Sequence, residues 1–586
     1  MAQPKVSSAG RAAVMAGLTM ALVGFAPVAA PLTALAETGS VTVETAQEQG
    51  TSYDAYQLFK ADISEADEAT HVAWASDGVK SATLEYLDGA GYGDWLDRMG
   101  YEEGHHDLPQ VAGEYVAHMV GASIANASEA TKPTTKEGRT FSYGLARALA
   151  ASGVAATRVS ANQAYDLDEG FWLFVTASES LEGEGRYGTA PLWVPVGGTA
   201  KNLVEKASVP SVDKQVKEDS TGAWDKVADA QRGQSISYRI SGTLPQGLDA
   251  YETYHYRFED TLGAGLTLAG GDTSTVKVKI DDQEIGEGLY QASYEKNVLT
   301  VDFENLLDPY FERFSITPES VITVEYDACL NAAAAVGSLG NPNDVVLVYT
   351  SDPVSGADGV TARKEARAFC YALQITKCDE SGKVRLPGAK FTMQVSQNNT
   401  DDGSAGKYVQ ADGSLSEKAY EFVTDGNGEF RVDGLDEGAY VLRETAAPKG
   451  YVASDKEITV DIESKLDAEN LSLTNLRSRA FGVNVTVEKI DAASGLTSAS
   501  VTNPKAEKEK TTKDKDKSKD KDKTPSGSQG GSTTGGGSTT SPAGGIVSRI
   551  MPQTGNGPVS WILTATGLVL IVQGTWKLLR RRQEQD

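Results

Sequence analysis

Between residues 205 and 490 apolar residues recur at every second position in short runs, and turn signals separate the runs. Val276-Lys277-Val278-Lys279-Ile280, Val321-Ile322-Thr323-Val324-Glu325-Tyr326 and Val483-Asn484-Val485-Thr486-Val487 all alternate in this way. A period of two places one set of side chains on a core and the other in water, the pattern of a half-buried strand. Asp425-Gly426-Asn427-Gly428 and Asp433-Gly434 mark tight turns between such strands. Many short strands with frequent turns predict β-sandwich modules in tandem. Residues 37–200 are mixed: a helix is expected over about 142–151, and Phe171-Trp172-Leu173-Phe174-Val175 has the composition of a buried strand. The expected fold class is therefore mainly β, with a mixed α/β N-terminal module.

The chain of 586 residues contains only three cysteines, too few for a disulfide framework. Its formal charge is −27, and acidity on this scale argues against nucleic acid as a partner, because phosphate recognition needs a basic face. The positive charge is concentrated at the ends, with +2 on residues 1–36 and +6 on residues 505–586, leaving about −35 on residues 37–504.

The ends predict the compartment. Lys5 and Arg11 precede an apolar run over residues 12–30 and then Ala34-Leu35-Ala36. A basic start, an apolar centre and a small-residue site make residues 1–36 a secretory signal peptide, cleaved after Ala36. At the other end an apolar stretch over 559–576 precedes Lys577 and Arg580-Arg581-Arg582. As a helix it would measure about 27 Å, enough to cross a hydrocarbon core, with the basic tail held in the cytoplasm. Residues 505–523 hold nine lysines and six acids, followed by a Gly/Ser/Thr stretch; neither can bury apolar surface, so 478–550 is expected to form a disordered stalk. Lys489-Ile490-Asp491-Ala492-Ala493-Ser494-Gly495 echoes Lys377-Cys378-Asp379-Glu380-Ser381-Gly382 and is taken as a remnant strand leading into it.

Met551-Pro552-Gln553-Thr554-Gly555, set immediately before the apolar stretch, resembles the L-P-x-T-G cell-wall sorting signal of Gram-positive surface proteins. The resemblance implies that a sortase cuts between Thr554 and Gly555 and passes the Thr554 carbonyl to an amine. It makes 551–586 a sorting segment and places the protein on the cell wall, joined to peptidoglycan.

A second resemblance rests on Tyr440-Val441-Leu442-Arg443-Glu444-Thr445-Ala446-Ala447-Pro448-Lys449-Gly450-Tyr451. Ile375-Thr376-Lys377-Cys378-Asp379 and Leu386-Pro387-Gly388-Ala389-Lys390-Phe391 lie upstream of it, and Leu473-Thr474-Asn475 downstream. Together these resemble a Cna-B-type domain, the immunoglobulin-like module of Gram-positive pilins and adhesins, over 369–477. The family joins a first-strand lysine to a last-strand asparagine through a spontaneous isopeptide bond assisted by a buried glutamate. Carried over by motif, these are Lys377, Asn475 and Glu444. The residue types suit the chemistry: burial keeps a lysine amine neutral and nucleophilic, and a buried carboxyl group can supply and accept protons.

Residues 208–368 resemble a fimbrial isopeptide-forming domain. The marks are Val209-Pro210-Ser211-Val212-Asp213-Lys214-Gln215-Val216, Gly233-Gln234-Ser235-Ile236-Ser237-Tyr238, Tyr256-Arg257-Phe258-Glu259-Asp260-Thr261-Leu262 and Gly340-Asn341-Pro342-Asn343. This implies Lys214 as nucleophile and Asp260 as assisting acid. The family's acceptor pattern Tyr-Ser-Asn-x-Pro appears here as Tyr349-Thr350-Ser351-Asp352-Pro353. The acceptor is then Asp352, which needs a bulge or another register to face the lysine, or the module is held by packing alone.

Residues 37–207 resemble the first domain of shaft pilins in outline, and such pilins carry their polymerising lysine near the end of that domain. Lys206 and Lys201 are the nearest candidates. His105-His106 beside Asp107 has no spaced partner for a metal, and no metal or other cofactor is expected. Cys329, Cys370 and Cys378 read as buried thiols, with a Cys370–Cys378 pair left open. The chain contains no recognisable catalytic constellation, so no enzymatic activity is expected beyond autocatalytic bond formation. The expected function is a structural shaft subunit of a sortase-assembled pilus, covalently joined to other pilin subunits. The alternative is a tip or basal pilin, or a wall-anchored adhesin, binding a host surface ligand through residues 37–200.

Overall fold

A computed structural model describes residues 38–507, apart from short internal stretches at 46–49, 65–68, 103, 121–132, 134, 205–207, 249–250, 287 and 397–402. The signal peptide, the segment beyond residue 507, Thr554, Gly555 and Lys206 lie outside the described residues. Among the described residues no helix is long and apolar enough to cross a membrane.

Among the described residues the N-terminal module joins two sheets to four α-helices. Ala69–Trp74, Ser52–Ile63, Gly170–Thr176 and Leu192–Val196 form one sheet in that order, with Thr157–Ser160 also paired to Ser52–Ile63. Ala164–Asp168, Thr38–Glu44 and Lys201–Val204 form the other. Gly170–Thr176 is buried at every position, because one of its faces meets helices and the other meets the second sheet. The expected helix is present but longer, Lys136–Ala151, because Thr135 caps it by accepting from the Gly138 amide at 3.0 Å.

The second module is a sandwich of two seven-stranded sheets. Val212–Lys217, Ser235–Thr243 and Val321–Leu330 are consecutive neighbours in one sheet; Lys364–Phe369, Asn341–Thr350, Tyr256–Leu262 and Val298–Phe303 are consecutive in the other. Strict alternation along Val321–Leu330 sends Ile322, Val324, Tyr326, Ala328 and Leu330 inward. Its core is rich in tyrosine: Tyr238, Tyr254, Tyr256, Tyr326 and Tyr349 are all buried in it.

Only Cys370 separates Lys364–Phe369 from Tyr371–Asp379, which opens the third module. One sheet there has the order Glu429–Leu435, Tyr371–Asp379, Leu496–Asn503, Val485–Asp491. The other contains Lys390–Val395, Gly438–Ala446, Ile458–Asp467 and Ser472–Phe481 as consecutive neighbours. The expected boundary at 477 is therefore too early, and the segment beginning at 478 is not all stalk. Val485–Asp491 and Leu496–Asn503 form a hairpin, and Leu496–Asn503 pairs in parallel with Tyr371–Asp379 over eight residues. The reason is packing: Ala499 and Val501 enter the same core as Leu373 and Ile375, so the supposed remnant closes the sandwich.

Candidate functional site

Among the described residues Lys201, Lys214 and Lys377 are buried lysines. In the third module the alternation of Tyr371–Asp379 turns Lys377 into the core, where it is fully buried. Its register partner on the parallel neighbour is Val501, and Asn503 follows two residues later on the same face. Lys377 Nζ donates to Asn503 Oδ1 at 2.6 Å. From the opposite sheet Glu444 Oε1 accepts from Asn503 Nδ2 at 2.7 Å and lies 3.2 Å from Lys377 Nζ. One carboxylate oxygen thus touches both the nucleophile and the nitrogen that would leave. Desolvation lowers the Lys377 pKa against the opposing pull of Glu444, which favours the neutral amine that attack requires.

The structure does not bring Asn475 to this cluster. Asn475 is exposed on Ser472–Phe481, opposite Lys465 in the other sheet. The expected acceptor tripeptide Leu473-Thr474-Asn475 has a near copy elsewhere in the chain. Val501-Thr502-Asn503 repeats the pattern on the strand that actually flanks Lys377. The local signal for it is the short alternation Ala499-Ser500-Val501-Thr502, which continues inward to Asn503.

The second module has an analogous cluster. Lys214 occupies an inward position between Val212 and Val216. Its Nζ donates to Asp260 Oδ2 at 2.5 Å and to the Tyr326 hydroxyl at 2.9 Å. Tyr326 in turn donates to Asp260 Oδ2 and accepts from Asn343 Nδ2 at 2.8 Å. Lys214 and Tyr326 come from one sheet, Asp260 and Asn343 from the other. Burial lowers the Lys214 pKa and raises that of Asp260, each opposed by the other's charge. Both shifts favour a neutral amine beside a carboxylic acid.

Asp352 is elsewhere. It lies in the turn after Asn341–Thr350, where Oδ1 accepts from the Val354 amide at 2.8 Å and Oδ2 from Ser355 Oγ at 2.5 Å and Ser178 Oγ at 3.3 Å. It ties the turn to the N-terminal module instead of facing Lys214. The amide in the Lys214 cluster is Asn343, which enters it through the Tyr326 hydroxyl and lies in the Gly340-Asn341-Pro342-Asn343 segment. Neither Asn343 nor Tyr326 was picked out as reactive from sequence.

The remaining candidates fall into other roles. Lys201 is buried on the strand paired with Thr38–Glu44. His106 Nε2 pairs with Asp88 at 2.7 Å and Asp107 with Lys80 at 2.6 Å. Among the described residues no three His, Cys, Asp or Glu side chains are grouped to hold a metal. Cys329, Cys370 and Cys378 are free thiols. Cys370 and Cys378 are eight positions apart along one extended segment, roughly 26 Å, far beyond disulfide reach.

Comparison with known proteins matches the third module. Residues 371–477 match the SpaA family model, a prealbumin-like fold domain. The trypsin-resistant surface T6 protein of Streptococcus pyogenes serotype M6 is 24% identical over 303 residues, which are 47% of this chain and 51% of that protein. The chain thus spans about half the length of that curated relative. The solved T6 backbone pilin, described as a modular three-domain structure, superposes with a TM-score of 0.50 at 16% identity, over 81% of this chain and all of that one. The chain shares the fold of that three-domain pilin. The full-length major pilin SpaD of Corynebacterium diphtheriae is also similar, with a TM-score of 0.42 at 15% identity over 80% of this chain and 98% of that one. In this pilin fold the two lysine clusters sit in the second and third modules, each spanning both sheets of its sandwich.

Proposed function

We propose that the protein is a shaft subunit of a sortase-assembled pilus, anchored to the cell wall and stiffened by two self-formed amide bonds, Lys377–Asn503 and Lys214–Asn343. The role is structural and calls for no cofactor. The observation that carries it is the Lys377–Asn503–Glu444 contact at 2.6, 2.7 and 3.2 Å inside a buried core. In the third module Lys377 Nζ attacks Asn503 Cγ, Glu444 carries the proton from the attacking nitrogen to Nδ2, and ammonia leaves.

The mechanical consequence follows from the topology. Tension enters the third module at Tyr371 and leaves after Asn503, on parallel neighbouring strands. A bond from Lys377 to Asn503 takes residues 378–502 out of the load path. In the second module a bond from Lys214 to Asn343 does the same for residues 215–342. Cross-links of this kind supply the stiffness that three free thiols cannot.

The MPQTG segment supports cutting by a sortase at Thr554–Gly555. The Thr554 carbonyl then passes to a lysine of the next subunit or, at the base, to peptidoglycan. Two measurements test the proposal. Intact mass of the secreted chain should be two ammonia lighter than its sequence after signal removal, and immunoblots of wall extracts should show a high-mass ladder. An unshifted mass sinks the cross-links, and a single band sinks the shaft role in favour of a monomeric adhesin binding a host ligand.

A further inference from the structure

The two clusters differ in one respect that the chemistry must accommodate. Glu444 touches Lys377 and Asn503 Nδ2 with the same oxygen. Asp260 has one methylene fewer. Its Oδ2 contacts Lys214 and the Tyr326 hydroxyl, while Oδ1 has no hydrogen-bond partner. Asn343 Nδ2 bonds to Tyr326. The phenol oxygen therefore stands between the acid and the leaving nitrogen, accepting from both Lys214 and Asn343 while donating to Asp260.

We propose that Tyr326 is a catalytic proton relay for Lys214–Asn343 amide formation, doing through its hydroxyl what Glu444 does by direct contact in the third module. This rests on the cross-link reading given above. The reaction starts from neutral Lys214 and protonated Asp260. Lys214 Nζ bonds to Asn343 Cγ, and the attacking nitrogen gives one proton to Asp260. Asp260 passes its original proton to the Tyr326 oxygen as Tyr326 passes its own to Nδ2. The Cγ–Nδ2 bond breaks, ammonia leaves, and Asp260 and Tyr326 end as they began. Two features suit Tyr326 to the task. It is buried, so its phenol is held well above its ordinary pKa and stays protonated between transfers. Its ring stacks on Tyr238 at 5.6 Å and 12°, which fixes the hydroxyl in place.

The test compares wild type and Tyr326→Phe in the full secreted chain by peptide mass mapping. Wild type should yield both cross-linked peptides. Tyr326→Phe should keep Lys377–Asn503 and lose Lys214–Asn343, or form it at least tenfold more slowly in a pulse–chase. A wild type without the Lys214–Asn343 peptide defeats the cross-link reading itself; a Tyr326→Phe chain linked at the wild-type rate overturns the relay alone. Should Tyr326→Phe misfold the module, 3,5-difluorotyrosine at position 326 keeps the shape and makes the phenol more acidic. A severalfold change in the linking rate supports the relay, and an unchanged rate overturns it.

Discussion

Lys377 Nζ lies 2.6 Å from Asn503 Oδ1, across 126 residues of sequence and between two parallel neighbouring strands. A covalent bond there would close a loop of that length. If the loop entropy of disulfides is a fair guide, it stabilises the module by about 5 kcal/mol. Asn503→Ala and Glu444→Ala should each abolish the cross-link and lower the melting temperature of the third module by tens of degrees. Asn475→Ala, at an exposed site, should leave both unchanged. Mass mapping and calorimetry of the three variants check this; a bond that survives Asn503→Ala removes Asn503 as the acceptor.

The pattern of success from sequence has a physical explanation. Lys214, Asp260, Lys377 and Glu444 were legible because each sits in a stretch that resembles a motif of the isopeptide-forming domains, and the structure places each inside a core, which tolerates a charged group only for a reason. The partners were not. Asparagine is common beside turns, and locally only the short Ala499-Ser500-Val501 alternation before it sets Asn503 apart from Asn475. The distinction is made by strand pairing between residues more than a hundred positions apart. Asp352 failed for a related reason: the strand ends at Thr350, so the tripeptide that resembled an acceptor lies in the turn beyond it. Tyr326 looked like one more core aromatic, and only the meeting of two sheets gives its hydroxyl three partners.

On the proposed shaft role, a polymerising lysine must reach a thioester in a sortase active site. Lys201 is buried in a strand paired with Thr38–Glu44 and would have to leave its sheet to do so. Lys201→Ala should therefore lower the stability of the N-terminal module while the pilus ladder persists. Lys206→Ala should abolish the ladder without altering the melting temperature of the secreted monomer. Immunoblots of wall extracts paired with thermal melts separate the two, and loss of the ladder only in Lys201→Ala would reverse the assignment.

Carboxyl groups are buried where the second and third modules meet. Asp229 Oδ2 accepts from Tyr371 at 2.5 Å and from Ser464 at 2.8 Å. The Asp436 amide donates to Gln231 at 3.2 Å and to the Tyr440 hydroxyl at 3.0 Å. Desolvation raises the pKa of both acids well above the ordinary range, reinforced by Glu218 and Glu437 around Asp229 and by Asp229, Asp219 and Glu218 around Asp436. The folded junction therefore holds protons that the unfolded chain gives up. Its contribution is full below about pH 4, where the unfolded carboxyls are also protonated, and falls as pH rises toward the folded values. The double variant Asp229→Asn/Asp436→Asn keeps the shape without the charge. Between pH 5 and 8 its melting temperature should exceed that of wild type by several degrees, with the gap closing toward pH 4. A constant gap would mean that the two acids do not titrate.

The same junction includes a contact between two glycines. A Cβ on Gly337 would stand 2.3 Å from the Gly495 nitrogen, and one on Gly495 would stand 2.5 Å from the Gly337 Cα. Both have positive φ, 84° and 62°, so a side chain at either would be strained as well as crowded. The contact is held by the Ser338 amide and hydroxyl, which donate to the Ala493 carbonyl at 3.2 and 3.0 Å. The hairpin that supplies Asn503 to the third module thus also leans on the second, limiting bending about Cys370. Gly495→Ala should cost about 1–3 kcal/mol, chiefly by lifting this hairpin turn off the second module. Solution scattering of the secreted chain should then show a broader range of inter-module angles than in wild type. Mass mapping should still find Lys377 joined to Asn503, because the strand beyond the turn keeps its pairing. Scattering identical to wild type would show that the junction is stiffened by other contacts.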